Sequence, residues 1–141
     1  MNKQDINNFE KTQSQLEGLL VEVTNLAKKS PNDGVNKFKL KFINEIILNS
    51  NKILGKAYKP LDSFEKFDED DLPSNSDVTF ILSQYLSCFE KLRSDNIYRK
   101  QEYDGNKYFY EWFWVVDKSK STIKKNKIIW QKKTHFQQML R

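Results

Sequence analysis

Apolar residues recur at helical spacing through the first two thirds of the chain and then switch to the alternation of a strand. Residues 5–29 carry Phe9, Leu16, Leu19, Leu20, Val23, Leu26 and Ala27 on one face, with Glu10, Glu17 and Glu22 off it. That spacing predicts a first helix. The run Ser30-Pro31-Asn32-Asp33-Gly34 is rich in breakers and ends it. Residues 35–54 repeat the pattern with Phe38, Phe42, Ile43, Ile46, Ile47, Ile53 and Leu54, and Gly55 follows where a helix cap glycine sits. Two helices with so short a break predict an antiparallel helical hairpin.

Residues 56–75 read as a connector between Pro60 and Pro73, with the acidic run Asp68-Glu69-Asp70-Asp71 inside it. A connection of this length is either functional or tied down by anchors, and Phe64 and Phe67 are the candidate anchors. A third helix is expected from about residue 76 to residues 93–96. Ser74 or Ser76 would cap it, and Asp77 suits its first turn. Its apolar positions Val78, Ile81, Leu82, Tyr85, Leu86, Phe89 and Leu92 form a wide face.

The period then changes. Residues 97–103 alternate loosely, Asp104-Gly105-Asn106 signals a hairpin turn, and Tyr108-Phe109-Tyr110-Glu111-Trp112-Phe113-Trp114-Val115-Val116 is an aromatic, β-branched strand. Residues 127–136 read as a third strand or, alternatively, residues 128–140 as a short basic helix. The fold class expected is therefore α+β. Three N-terminal helices pack on a C-terminal antiparallel hairpin or three-stranded sheet. They form one domain over residues 1–141, mainly helical over 1–96.

Composition adds a charge asymmetry. The 141 residues carry 24 basic and 19 acidic side chains, for a net +5. Residues 118–141 contain eight basic side chains and no acidic one, so residues 1–117 hold 16 basic against 19 acidic, a net −3. A mildly acidic body with a basic C-terminal segment points to an anionic partner. Of the basic residues 21 are lysine, and Asn is abundant, which fits an AT-rich bacterial or phage genome and weakens basicity as evidence for nucleic acid. Lysine also lacks the planar fork of arginine.

Candidate chemistry is sparse. One cysteine, Cys88, excludes an internal disulfide, and one histidine, His135, cannot build a histidine metal site with it. Cys88 sits among Tyr85, Leu86 and Phe89 and reads as a small hydrophobe rather than a nucleophile. The acidic run lacks the spacing and glycine of a calcium loop. It reads as a solvated loop, or as a patch for the basic tail of the same chain or a neighbouring copy. No phosphate loop, GxSxG, HExxH or paired CxxC occurs. No enzyme activity, cofactor, metal or membrane span is expected. The N-terminus lacks a signal-peptide pattern, and the location read from it is cytoplasmic.

The aromatic strand is the feature that stands out. Alternation puts Tyr108, Tyr110, Trp112, Trp114 and Val116 on one face, and Phe109, Glu111, Phe113 and Val115 on the other. The phenylalanine face suits a core, and the Tyr/Trp face suits a core, a protein interface or a stacking platform. The function expected is a small binding protein that acts by protein–protein contact, as a dimer or as a subunit of a larger assembly. The alternative is nucleic-acid binding, with bases stacked on Tyr108, Tyr110, Trp112 and Trp114 beside Lys124, Lys125, Lys127, Lys132 and Lys133.

Overall fold

The computed structural model describes residues 1–116 and the backbone of residues 123–124. Three helices are followed by a two-stranded antiparallel sheet: α1 Lys3–Lys29, α2 Lys37–Tyr58, α3 Asn75–Asp95, β1 Ile97–Tyr103 and β2 Tyr108–Trp114. The class is α+β. Residues 123–124 pair across two positions with Phe113 and Trp114. The expected third strand or helix over residues 127–140 lies outside the described residues. The chain divides into two compact units, one over residues 7–92, the other joining residues 1–6 to the chain from Arg93 onward.

Each helix start has a local cause. Asn2 and Asp5 satisfy each other's backbone amides reciprocally, the Asp5 amide donating to Asn2 Oδ1 at 2.8 Å and the Asn2 amide to Asp5 Oδ2 at 3.0 Å. That pairing starts α1 two residues earlier than the apolar stripe alone suggests. Asn36 caps α2 by accepting from the Lys39 amide at 2.8 Å, and Ser74 caps α3 by accepting from the Asp77 amide at 3.1 Å. Gly55 breaks the α2 helix at φ 63°, a backbone region in which only glycine is unstrained.

In the helical unit α1 runs antiparallel to α2. Lys39 Nζ meets Glu22 Oε1 at 2.7 Å near one end, and Asn49 Nδ2 donates to Thr12 Oγ1 at 2.9 Å near the other. Helices α2 and α3 run in the same direction. Their starts are joined where the Val35 amide donates to the Pro73 carbonyl at 2.9 Å, and further along Tyr85 donates its hydroxyl hydrogen to Asn51 Oδ1 at 2.6 Å. Two consecutive parallel helices need a long return, and residues 59–74 supply it as a strap laid back along them.

The strap is held by side chains of α2. Asn51 Nδ2 donates to the Glu65 carbonyl at 3.0 Å. Buried Asn44 donates from Nδ2 to the Phe67 carbonyl and accepts from the Phe67 amide at Oδ1, both at 2.9 Å. A primary amide reads a backbone amide this way because it matches it donor for acceptor. Lys59 pairs with Glu65. Phe67 is buried, and Phe64 stands edge-on to it at 5.1 Å. The strap ends tightly: Leu72 holds φ 45°, and its carbonyl lies 3.1 Å from where a side chain on Gly34 would begin.

The core of this unit is Phe9, Leu16, Leu20 and Val23 of α1, Leu40, Ile43, Ile47 and Leu54 of α2, and all seven expected positions of α3. Phe9 and Phe89 pack ring on ring at 4.9 Å. Phe38 and Phe42 were expected inside and are not. They are 73% and 44% exposed and pack edge-on to each other at 5.0 Å. The inward stripe of α2 is offset by a residue or two, through Leu40 and Asn44.

In the other unit, β1 and β2 pair in register from Ile97 opposite Trp114 to Tyr103 opposite Tyr108. The Val115 amide extends the ladder to the Asn96 carbonyl at 2.8 Å. The turn is set by Asp104, whose Oδ1 accepts from the Asn106 and Lys107 amides at 2.9 Å each, and by Gly105 at φ 98°. Those amides hold the Asp104 carboxyl below its ordinary range. Trp114, Arg93 and Ile6 are buried in this unit, as is Glu111.

Candidate functional site

The register puts Ile97, Arg99, Gln101 and Tyr103 of β1 on the same face as Tyr108, Tyr110, Trp112 and Trp114 of β2. Burial on this face is graded along the strand and not split between faces. Tyr108 is 67% and Tyr110 50% exposed, Trp112 is half-buried, and Trp114 is fully buried. Trp114 is thus a core residue and presents no exposed ring. The opposite face is graded too: Phe109 and Phe113 are half-buried, Glu111 is buried and Val115 is exposed. A uniform phenylalanine core with a uniform Tyr/Trp surface does not describe it.

At the turn end the face gathers three exposed tyrosines and an arginine. The rings of Tyr103 and Tyr108 lie 4.9 Å apart, and the Arg99 guanidinium sits 4.3 Å from the centre of the Tyr110 ring. Cation and ring attract through the ring's quadrupole, which ties Arg99 to Tyr110 across the strands. The Tyr103 hydroxyl donates to the Gly105 carbonyl at 2.9 Å, fixing that ring against the turn. The result is a small, preordered aromatic patch.

Tyr108 and Tyr110 of the expected site stand in this patch, with Trp112 at its inner border. Lys125, Lys127, Lys132 and Lys133 lie outside the described residues, and only the backbone of Lys124 is described. Arg99 and Tyr103 escaped the sequence reading, although the Asp104–Gly105 turn signal implied the register that places them there.

A second feature lies in the helical unit. A groove of about 440 Å³ between the strap and α3 is lined by Phe64, Phe67, Pro73, Phe80 and Ile81, with the carboxylates of Asp68, Asp71 and Asp77 around it. Phe80 is 57% exposed there. Asp68 uses Oδ1 to accept from the Asp70 amide at 2.9 Å, which shapes its turn. Lys37 approaches Asp70 at 3.6 Å, a solvent-exposed pair of little energetic weight.

Cys88 is a half-buried free thiol on α3, and burial pushes its pKa up, away from the reactive thiolate. Among the described residues no three His, Cys, Asp or Glu side chains converge to hold a metal ion, and no helix is long and apolar enough to cross a membrane. His135 lies outside the described residues. Comparison with protein-family models, with curated proteins and with solved structures found no match for this chain.

Proposed function

We propose that this chain is a small non-enzymatic binding protein, cytoplasmic in location, that engages a protein partner through the turn end of its hairpin. The observation that carries this reading is the exposed patch of Tyr103, Tyr108 and Tyr110 with Arg99 stacked on it. Tyrosine and arginine are the residues that concentrate binding energy at protein interfaces. Each ring offers a broad apolar face and a polar rim, so it binds without leaving a polar group unmet. Pre-ordering by the Arg99–Tyr110 contact and the Tyr103–Gly105 hydrogen bond lowers the entropy lost on association.

A photo-crosslinking side chain placed at Tyr108 of the full chain tests this. The expected result is one discrete crosslinked protein species. Unlabelled wild-type chain should compete it away, and the Tyr103→Ala/Tyr110→Ala variant should not. A diffuse or absent product would refute the reading. Saturable binding of single-stranded oligonucleotides with a steep salt dependence, weakened by the same variant, would transfer the patch to nucleic acid.

A further inference from the structure

The groove between the strap and α3 has a different chemistry from the hairpin patch. Its floor is aromatic and aliphatic, Phe80 stands 57% exposed at its edge, and three carboxylates border it. An occupant that satisfied both would carry cations flanking an apolar anchor. One stretch of this sequence has that make-up and lies outside the described residues. Residues 125–141 contain Lys125, Lys127, Lys132, Lys133 and Arg141 and no acidic side chain, and Ile128, Ile129 and Trp130 lie between the lysine pairs.

We infer that the groove is the docking site for segment 125–141 of a second copy of this chain. Trp130 seats against Phe64, Phe67 and Phe80, and the flanking lysines face Asp68, Asp71 and Asp77. Charge complementarity selects this occupant. The body that presents the groove is net negative over residues 1–117, and the segment is uniformly positive. Opposite fields of this kind steer association and select the partner. The buried aromatic anchor supplies the affinity. The wall behind the groove is stiff enough to receive it, because Phe67 is clamped through both backbone groups by Asn44. Lysine suits this role because its charge needs no fixed hydrogen-bond fork to meet a carboxylate.

The test titrates a fluorescein-labelled synthetic peptide of residues 125–141 into the full chain and reads anisotropy, alongside sedimentation velocity of the full chain alone. Saturable binding is expected. It should weaken by about tenfold or more in Phe80→Ala and in Asp71→Asn/Asp77→Asn, a change worth about 1.4 kcal/mol. It should also weaken with a Trp130→Ala peptide and with rising salt. Sedimentation should show larger species that grow with concentration and disappear in the Asp71→Asn/Asp77→Asn chain. These substitutions change exposed side chains, and unchanged thermal unfolding confirms the fold. A monomer at every concentration, no peptide binding, or equal binding by all variants would overturn the inference. Tyr103→Ala/Tyr110→Ala leaves peptide binding intact, which separates this site from the hairpin patch.

Discussion

Asn44→Ala is the sharpest test of how the helical unit is held together. The amide of Asn44 makes two buried 2.9 Å hydrogen bonds to the backbone of Phe67, and alanine removes both. Each bond contributes about 1 kcal/mol net, and each backbone group left unmet in the interior costs about 1–3 kcal/mol. If the strap stays in place, the two unmet groups together cost about 2–6 kcal/mol. The strap has an escape: it can lift and let water reach the Phe67 amide and carbonyl. Lifting forfeits burial of the Phe67 ring, about 1.5–3 kcal/mol by area. The smaller of the two costs wins, so the expected destabilisation is about 1.5–3 kcal/mol with the strap partly released. Urea unfolding gives the free energy, and amide exchange at Phe67 reports the release. Cleavage by trypsin after Lys66 should accelerate in parallel. Asn44→Asp should be no better, since a carboxylate accepts from the amide but faces the carbonyl without a proton. A loss below about 0.5 kcal/mol, within the range of a neutral surface change, with unchanged protection at Phe67, would refute this account of the strap.

Three further outcomes follow from the same geometry. Gly34→Ala should destabilise by about 1–3 kcal/mol, because the new Cβ would meet the Leu72 carbonyl at 3.1 Å and Leu72 Cβ at 3.3 Å, in a backbone pinned by the Val35–Pro73 hydrogen bond; thermal unfolding reads it. Trp114→Ala should cost about 3–5 kcal/mol, whereas Tyr108→Ala should stay within about 0.5 kcal/mol, since one ring is buried and the other largely exposed. Tyr85 gives a pH signature. Burial raises its hydroxyl from 10.0 to about 12, helped by Glu65 and Cys88 and opposed by the hydrogen bond to Asn51. The fold therefore favours the neutral phenol. That stability is complete below about pH 10, where the unfolded chain begins to ionise, and is lost as pH rises towards 12. The loss should be on the order of 1–2 kcal/mol, less than full linkage because the hydroxyl end is only part-buried. Urea unfolding across that range should show the slope in wild type and its absence in Tyr85→Phe.

Much of this was legible in the residues. The 3.6 period placed all three helices, Ser74 marked a start that the structure keeps, and Asp104–Gly105 fixed the hairpin, whereas Gly55 marked a break inside α2 and not its end. Phe64 and Phe67 stood out as anchors because a long connector needs them. Three things were not legible, each for a physical reason. Helix α2 is apolar on more than one side, so its period fits two stripes, and only packing in the helical unit selects Leu40 and Asn44 over Phe38 and Phe42. Asn44 looks like any surface asparagine because its partner is a backbone amide 23 positions away. The aromatic strand was read across its width, by alternation, whereas its exposure changes along its length, from Tyr108 at the turn to Trp114. That gradient is why the patch centres on Tyr103, Tyr108 and Tyr110 and leaves Trp114 out.

The parallel course of α2 and α3 also dictates an order of events in time. Helices α1 and α2 are neighbours in sequence and can close on each other through a short turn. Helix α3 cannot reach its place beside α2 until residues 59–74 have reversed direction, and that longer closure costs chain entropy before its contacts repay it. The strap is therefore the late arrival in assembly, fixed once Asn44 and Asn51 have met its backbone. The Phe64–Phe80 groove has this strap as one wall, so it forms last, with the final contacts of the helical unit. The residues that complete the fold are the ones that complete the groove.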